Sequence, residues 1–134
     1  MPQELRMTDL NYAKGLLESK GPTEMYDFLA SKGYKYATLA NGVAKRNSVG
    51  GDVSVHYMKS VAEELGRQMS DGDVDKVFYQ MAEAYVDVLI TKLDKVTGIL
   101  KSDINHREAS DFHAPVFIAN GLPPYSWSLY AVLA

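Results

Sequence analysis

The chain of 134 residues contains no cysteine. Disulfide bonds, thiolate nucleophiles and cysteine-based zinc or iron–sulfur sites are therefore excluded. The absence identifies no compartment, because it suits a reducing cytoplasm as well as a secreted protein that folds without disulfides. A chain of this length can form its own core, so we predict a single helical domain over residues 1–134, either complete or as a module of a longer protein.

Long apolar runs and strong net charge are also missing. No uninterrupted apolar stretch approaches the roughly 20 residues of a membrane-spanning helix. The N-terminus shows no basic segment followed by an apolar one, as a signal peptide would. We therefore expect a cytoplasmic protein, or one secreted without a visible signal peptide. The net charge of −3 argues against general nucleic-acid binding.

Several common ligand-binding motifs are absent. The chain has no glycine-rich phosphate loop, dinucleotide fingerprint or nucleophile elbow. Residues 71–75 begin like a calcium loop, but the sixth position is Lys76 rather than glycine and the twelfth is Ala82 rather than glutamate. We predict no cofactor and no metal site, and we interpret the acidic residues here as favourable charges at a helix start.

Helical periodicity dominates the rest of the chain. The strongest helix is predicted over about residues 73–97, where apolar residues recur at intervals of three and four. Ser70 is expected to cap it and Gly98 to stop it. Further helices are predicted over about 52–69, 3–19 (with Thr8 as an alternative start), 22–31 and 36–46. The patterns predict an all-α fold of five to six helices packed around the helix at 73–97.

The helical pattern weakens after Lys101. We predict a short helix over 103–113, which Ser102 would cap and Pro115 would end, because the residue before a proline avoids the helical region. Residues 116–118 are then expected to be extended. Asn120 and Gly121 are expected to form a turn.

The last 23 residues, 112–134, contain no Asp, Glu, Lys or Arg but include five aromatic residues. Because burial of apolar surface is worth roughly 25 cal/mol per Å², this segment is expected to leave water. It would either cover the helices as an irregular aromatic strap or bind a protein partner or a second copy of the chain. The binding residues predicted on this basis are Phe117, Tyr125, Trp127 and Tyr130.

A second group of residues suggests an alternative, enzymatic function. Within a helix over 103–113, Asp103, His106, Ser110 and His113 would share one face. A small hydrolase-like or metal-assisted enzyme could use His106, Asp111 and His113. The spacing matches no known metal signature, and a serine within a helix has no free backbone N–H groups to form an oxyanion hole. Structural roles for these polar residues are therefore favoured.

Basic and aromatic residues alternate in one short region, which could bind a single strand of nucleic acid. The signal is weak, and Tyr36 is better explained as a core residue and the lysines as a solvated face. The residues concerned are Lys32, Tyr34, Lys35, Tyr36, Lys45 and Arg46.

Composition and pattern together favour a non-enzymatic helical protein–protein interaction module. A bacterial or phage accessory protein, or the helical part of a larger secreted effector, would fit the small size and the lack of cysteine. The contact is expected through the C-terminal aromatic segment, with a homo-oligomer as one form that it could take.

Overall fold

The computed structural model describes residues 3–44, 63 and 65–122, and the side chains of these except residues 42–44 and 106. This part of the chain is mostly helical, with one pair of two-residue strands, which confirms the predicted all-α class. The elements in chain order are β1 (Leu5–Arg6), α1 (Met7–Lys20), α2 (Pro22–Ser31), α3 (Lys35–Ala44), α4 (Asp71–Thr91), β2 (Ile99–Leu100) and α5 (His106–Ala119).

The two short strands join the N-terminus to the loop that follows α4. They run antiparallel, with Leu5 opposite Leu100 and Arg6 opposite Ile99. The Arg6 N–H also bonds to the Asp9 carboxylate at 2.9 Å, which fixes the start of α1. A strand of two residues has no periodicity of its own, so the sequence did not indicate it.

Glycines end the first two helices. Gly21 and Gly33 adopt φ values of 102° and 88°, where a side chain would be strained. The Gly21 N–H bonds to the carbonyls of Leu16 and Leu17, and Pro22 then opens α2 at a position that needs no N–H donor.

Helix α4 starts where the sequence indicated and ends six residues earlier than predicted. The Ser70 hydroxyl accepts the Asp73 N–H at 3.3 Å and caps the first turn. After Thr91 the chain leaves the helix because Asp94 forms a turn. Its carboxylate accepts the Thr97 N–H at 2.9 Å, and its carbonyl accepts the Gly98 N–H at 2.8 Å. Gly98 therefore serves this turn rather than the helix end.

The described helices bury one continuous apolar core. Helix α4 packs against α1, α2 and α5, and α2 packs against both α1 and α3. The fully buried side chains include Leu10 of α1, Met25 and Leu29 of α2, and Met81 and Leu89 of α4. Each such side chain contributes roughly 1.5–3 kcal/mol by leaving water. None of the described helices is long and apolar enough to cross a membrane.

Helix α5 corrects the prediction for the C-terminal region. It begins at the cap Asn105 rather than at Ser102, and it continues through Pro115 to Ala119, so residues 116–118 are helical rather than extended. Pro115 leaves the carbonyl four residues earlier, that of Asp111, without its helical donor. Both residues are exposed, so water can satisfy this carbonyl. The predicted turn at Asn120 and Gly121 is confirmed.

Two predictions fall wholly or mainly outside the described residues. Most of the helix predicted at 52–69 lies there, although residues 65–68 are helical and Leu65 is buried. The aromatic strap beyond residue 122 also lies there. The central position of α4 within the whole fold and the single-domain organisation stay predictions.

Candidate functional site

The chemically notable part of the described structure is a buried cluster of rings where α2, α3, α4 and α5 meet. We call it the aromatic cluster. The ring centroids of Tyr36 and Tyr85 lie 4.3 Å apart, and those of Phe112 and His113 lie 4.6 Å apart. Such distances are typical of packed aromatic pairs. Its members are Tyr26, Tyr36, Tyr85, Phe112, His113 and Phe117.

A short hydrogen bond joins α3 and α5 within this cluster. The Tyr36 hydroxyl oxygen lies 2.6 Å from His113 Nε2, and both side chains are buried. This distance is shorter than N–H···O bonds usually are and falls in the range of hydroxyl donors. Which group donates depends on the imidazole tautomer; we assign the Tyr36 O–H as the donor and Nε2 as the acceptor, which is the neutral tautomer with its proton on Nδ1. Burial raises the pKa of Tyr36 well above its usual value, so this donor keeps its proton.

The burial of His113 decides its chemistry. Its side chain is 0% exposed, and desolvation by burial lowers its pKa from 6.5 to about 3. The imidazole is therefore neutral throughout the physiological range. A general acid or base works best with a pKa near the working pH, so His113 in this position is poorly suited to proton transfer.

Asp103 connects three parts of the chain next to the cluster. Its carboxylate accepts the Tyr36 N–H at 3.0 Å and the Tyr85 hydroxyl at 2.9 Å. Lys92 Nζ donates to the Asp103 carbonyl at 2.7 Å and to Glu108 Oε1 at 3.0 Å. Asp103 and Lys92 thus hold the start of α3, the middle of α4 and the start of α5 in one polar network.

Two buried polar atoms lack a hydrogen-bond partner among the described residues. One is the Tyr26 hydroxyl, which interacts electrostatically with the Tyr36 hydroxyl without forming a well-directed bond. The other is Asn41 Oδ1, although the amide nitrogen of Asn41 donates to Asp27. Burial raises the pKa of Tyr26, so this phenol stays protonated.

The residues of the predicted enzymatic site are not assembled by the described structure. Asp111 is exposed, whereas His113 is buried two residues further along the same helix, and residues at this spacing face different directions. His106 begins α5, and its side chain lies outside the described part. Asp103 precedes α5 instead of sharing its face. No group of three or more possible ligands among the described residues is arranged to hold a metal ion.

The predicted binding residues lie in two settings. Phe117 is fully buried and contacts His113 at a ring distance of 5.8 Å. Tyr125, Trp127 and Tyr130 lie outside the described residues. Next to this segment, Ile118 at the end of α5 is 60% exposed.

The basic and aromatic region at 32–46 uses its described rings internally. Tyr34 and Tyr36 are both buried, and the Tyr34 hydroxyl donates to the Gln3 carbonyl at 2.9 Å. Lys32 lies over the Phe28 ring, 5.6 Å from its centroid. The two tyrosines therefore offer no surface on which a base could stack.

Sequence reasoning missed Asp103, Tyr85 and Lys92 as parts of one network. A general signal existed, because a buried tyrosine usually finds a hydrogen-bond partner. Tyr36 and Tyr85 both fall on predicted apolar faces and so needed an acceptor. Which residue supplies it depends on contacts between distant parts of the chain.

The chain matches no protein-family model, no curated protein and no solved structure. These comparisons therefore give no information on its function.

Proposed function

We propose that this protein is a non-enzymatic helical interaction module that binds a protein partner or a second copy through the part of its C-terminal aromatic segment that follows α5, residues 120–134, together with the exposed end of that helix. The observation that carries the proposal is the continuity between the exposed end of α5 and this segment. Pro115, Ile118 and Ala119 are exposed at the end of the helix, and the chain then continues without a single charged residue to Ala134. Exposed apolar residues beside an uncharged aromatic sequence are the composition typical of an interaction site.

The structural use of the polar side chains supports a role without catalysis. His113, Tyr36, Tyr85 and Asp103 bond to one another or to backbone groups and hold helices together. The alternative, an enzyme using His106, Asp111 and His113, has less support because burial keeps His113 neutral and Asp111 lies at the surface. An origin as a bacterial or phage accessory protein, or as part of a larger secreted effector, stays part of the proposal.

The first experiment tests self-association by light scattering over a range of concentrations. The full chain is compared with Ile118→Asp, which places a charge in the exposed apolar end of α5, and with Trp127→Ala. Val96→Asp is the matched control, because Val96 is also an exposed apolar residue, at 95%, but lies in the turn after α4. We expect the mass of the full chain to increase with concentration. Ile118→Asp and Trp127→Ala should each lower the association constant at least tenfold, and Val96→Asp should leave it unchanged.

A second experiment addresses a different protein as the partner. A photo-crosslinking amino acid replaces Trp127 in the full chain, and adducts are identified with and without excess unlabelled protein. We expect one dominant adduct that the unlabelled full chain suppresses and that unlabelled Ile118→Asp suppresses poorly. A full chain that stays monomeric and gives only adducts that no competitor suppresses would overturn the proposal.

A further inference from the structure

Helix α5 is attached to the body of the protein in two different ways. Along one side it packs against α4 through apolar side chains such as Phe112 and Phe117. Towards α3 it is joined by the bond between His113 Nε2 and the Tyr36 hydroxyl. The attachment to α3 thus depends on a titratable group that is completely enclosed by the fold.

We propose that His113 is an acid-operated latch: while neutral it holds α5 against α3 and α4, and when it takes up a proton it releases α5. The proton comes from solution and binds Nε2, the atom that accepts the Tyr36 hydroxyl. Tyr36 would then have to accept instead of donate and would have to turn its own hydrogen elsewhere. A cation enclosed by aromatic rings also loses its hydration, which is far more costly than enclosing a neutral ring.

Among the described residues, the rings in contact with His113 are those of Tyr36, Phe112 and Phe117, and Tyr36 in turn packs against Tyr26 and Tyr85. Tyr36 belongs to α3, Tyr85 to α4 and Tyr26 to α2, and burial raises the pKa of each of these phenols, so they carry no charge at acid or neutral pH. Phe112 and Phe117 of α5 are apolar.

The nearby carboxylate is Asp103, which bonds to Tyr36 and Tyr85. These two bonds stabilise the same region independently of His113. The experiment must therefore distinguish the imidazole of His113 from the carboxylate of Asp103.

The direction of the effect follows from linkage. The pKa of His113 is lowered to about 3 in the closed state, whereas a solvated histidine titrates near 6.5. Above pH 6.5 both states are neutral and the latch is fully effective. As the pH falls below 6.5, His113 binds a proton in the open state, where α5 is released, but not in the closed state. Release of α5 therefore becomes more favourable down to about pH 3, where His113 is protonated in the closed state too. Relative to its value at pH 7.5, the equilibrium constant for release of α5 should rise about thirtyfold at pH 5 and about 300-fold at pH 4.

The consequence for binding rests on the proposed function, whereas the latch itself does not. Helix α5 leads directly into the uncharged aromatic segment, so its release would change how that segment is presented to a partner. Acid-dependent opening without any association would therefore support the latch and speak against the interaction module. Association that is independent of pH would support the interaction module and would contradict only the coupling of the latch to binding.

The test is hydrogen exchange of the full chain, followed by mass spectrometry from pH 7.5 to 4. Wild type is compared with His113→Gln, whose neutral amide oxygen can still accept the Tyr36 hydroxyl. We expect opening of peptides from α5 to increase about tenfold per pH unit below pH 6 in wild type, beyond the intrinsic pH dependence. Peptides from α1 should not show this increase, and His113→Gln should abolish it.

Two matched variants make the assignment specific. His106→Gln removes a histidine from the first turn of the same helix and should leave the increase unchanged. Asp103→Asn removes the carboxylate, and this variant should still show the increase in α5 opening at low pH. Tyr36→Phe should raise opening of α5 about tenfold already at pH 7.5, because the donor to His113 is lost.

The outcome does not depend on His113→Gln being stable. Within wild type alone, equal pH dependence of opening in α1 and α5 would overturn the latch, as would α5 protection that is constant to pH 4. Loss of the increase in His106→Gln or Asp103→Asn would assign the effect to another group and would overturn it as well.

Discussion

Two regions of this protein hold helices together by different means. Between α1 and α2 the contact consists of apolar side chains, such as Leu10 and Leu29, closed by the tight turn at Gly21. Between α3 and α5 the contact depends on hydrogen bonds that are partly or wholly buried, above all those of Asp103 and the pair of Tyr36 and His113. We expect the first contact to be insensitive to pH and salt because its buried side chains carry no charge, whereas the second contains groups whose charge can change.

A substitution lowers the free energy of unfolding for a different reason in each region. Removing an apolar side chain costs the lost burial plus a cavity. Removing one member of a polar pair leaves the other buried without a partner, and this cost can exceed the worth of the bond itself.

The largest effect is expected for Leu29→Ala in the apolar region. Leu29 is fully buried in α2, so the substitution should lower the free energy of unfolding by about 2–5 kcal/mol. Urea unfolding at pH 7.5 and at pH 5 measures the loss, which should be the same at both. A loss below 1 kcal/mol would show that this region is not the apolar core described.

The next largest loss of stability is expected for substitutions of Asp103, whose bonds join α3 and α4 in the polar region. Asp103→Ala leaves the Tyr36 N–H and the Tyr85 hydroxyl without their acceptor and should cost about 2–4 kcal/mol by the same measurement. Asp103→Asn keeps one acceptor oxygen and should lose roughly half as much. Equal losses in the two variants would contradict the bonding pattern.

A smaller effect is expected for Tyr85→Phe, which keeps the ring and removes only the hydroxyl. If apolar packing alone held this region, the substitution would be neutral or stabilising. Because the hydroxyl donates to the Asp103 carboxylate at 2.9 Å, we expect a loss of about 1–2 kcal/mol in urea unfolding. In Asp103→Ala the same substitution should cost less, and additive losses would refute the coupling.

The smallest effect is expected for an exposed ion pair between α1 and α4. Lys14 Nζ lies 3.3 Å from the Asp87 carboxylate, and both side chains are largely exposed. Lys14→Met should change the free energy of unfolding by less than about 1 kcal/mol, and less still at high salt. A larger, salt-independent loss would mean that polar contacts also matter in the apolar region.

Local chemistry explains what the sequence could predict of the fold. The bounds of α2 follow from Gly21 and Pro22 at its start, and the start of α4 follows from the cap Ser70. The end of α4 was wrong because Leu93 and Val96 extend the apolar spacing, whereas the Asp94 turn overrides it. The length of α5 was wrong because tertiary packing of Phe112 and Phe117 outweighs the local preference of Pro115.

The candidate site was less accessible to sequence reasoning. His113 was singled out, but its partner Tyr36 lies 77 residues away, and Asp103 lies 67 residues from the same tyrosine. Periodicity identifies which residues face the core and carries no information on which of them meet. Against a catalytic or metal-binding role of His113 the sequence offered the lack of a known spacing and the lack of backbone donors for an oxyanion hole, which favoured a structural role without identifying its partner.

The most direct test of the polar attachment of α5 is an NMR titration of the His113 imidazole in the full chain. The ring is fully enclosed in the described structure, and burial lowers its pKa to about 3. We predict that its Cε1–H resonance keeps the shift of the neutral form from pH 8 to about pH 4, as long as the fold persists. A titration midpoint near 6.5 in the folded protein would contradict the buried neutral pair with Tyr36.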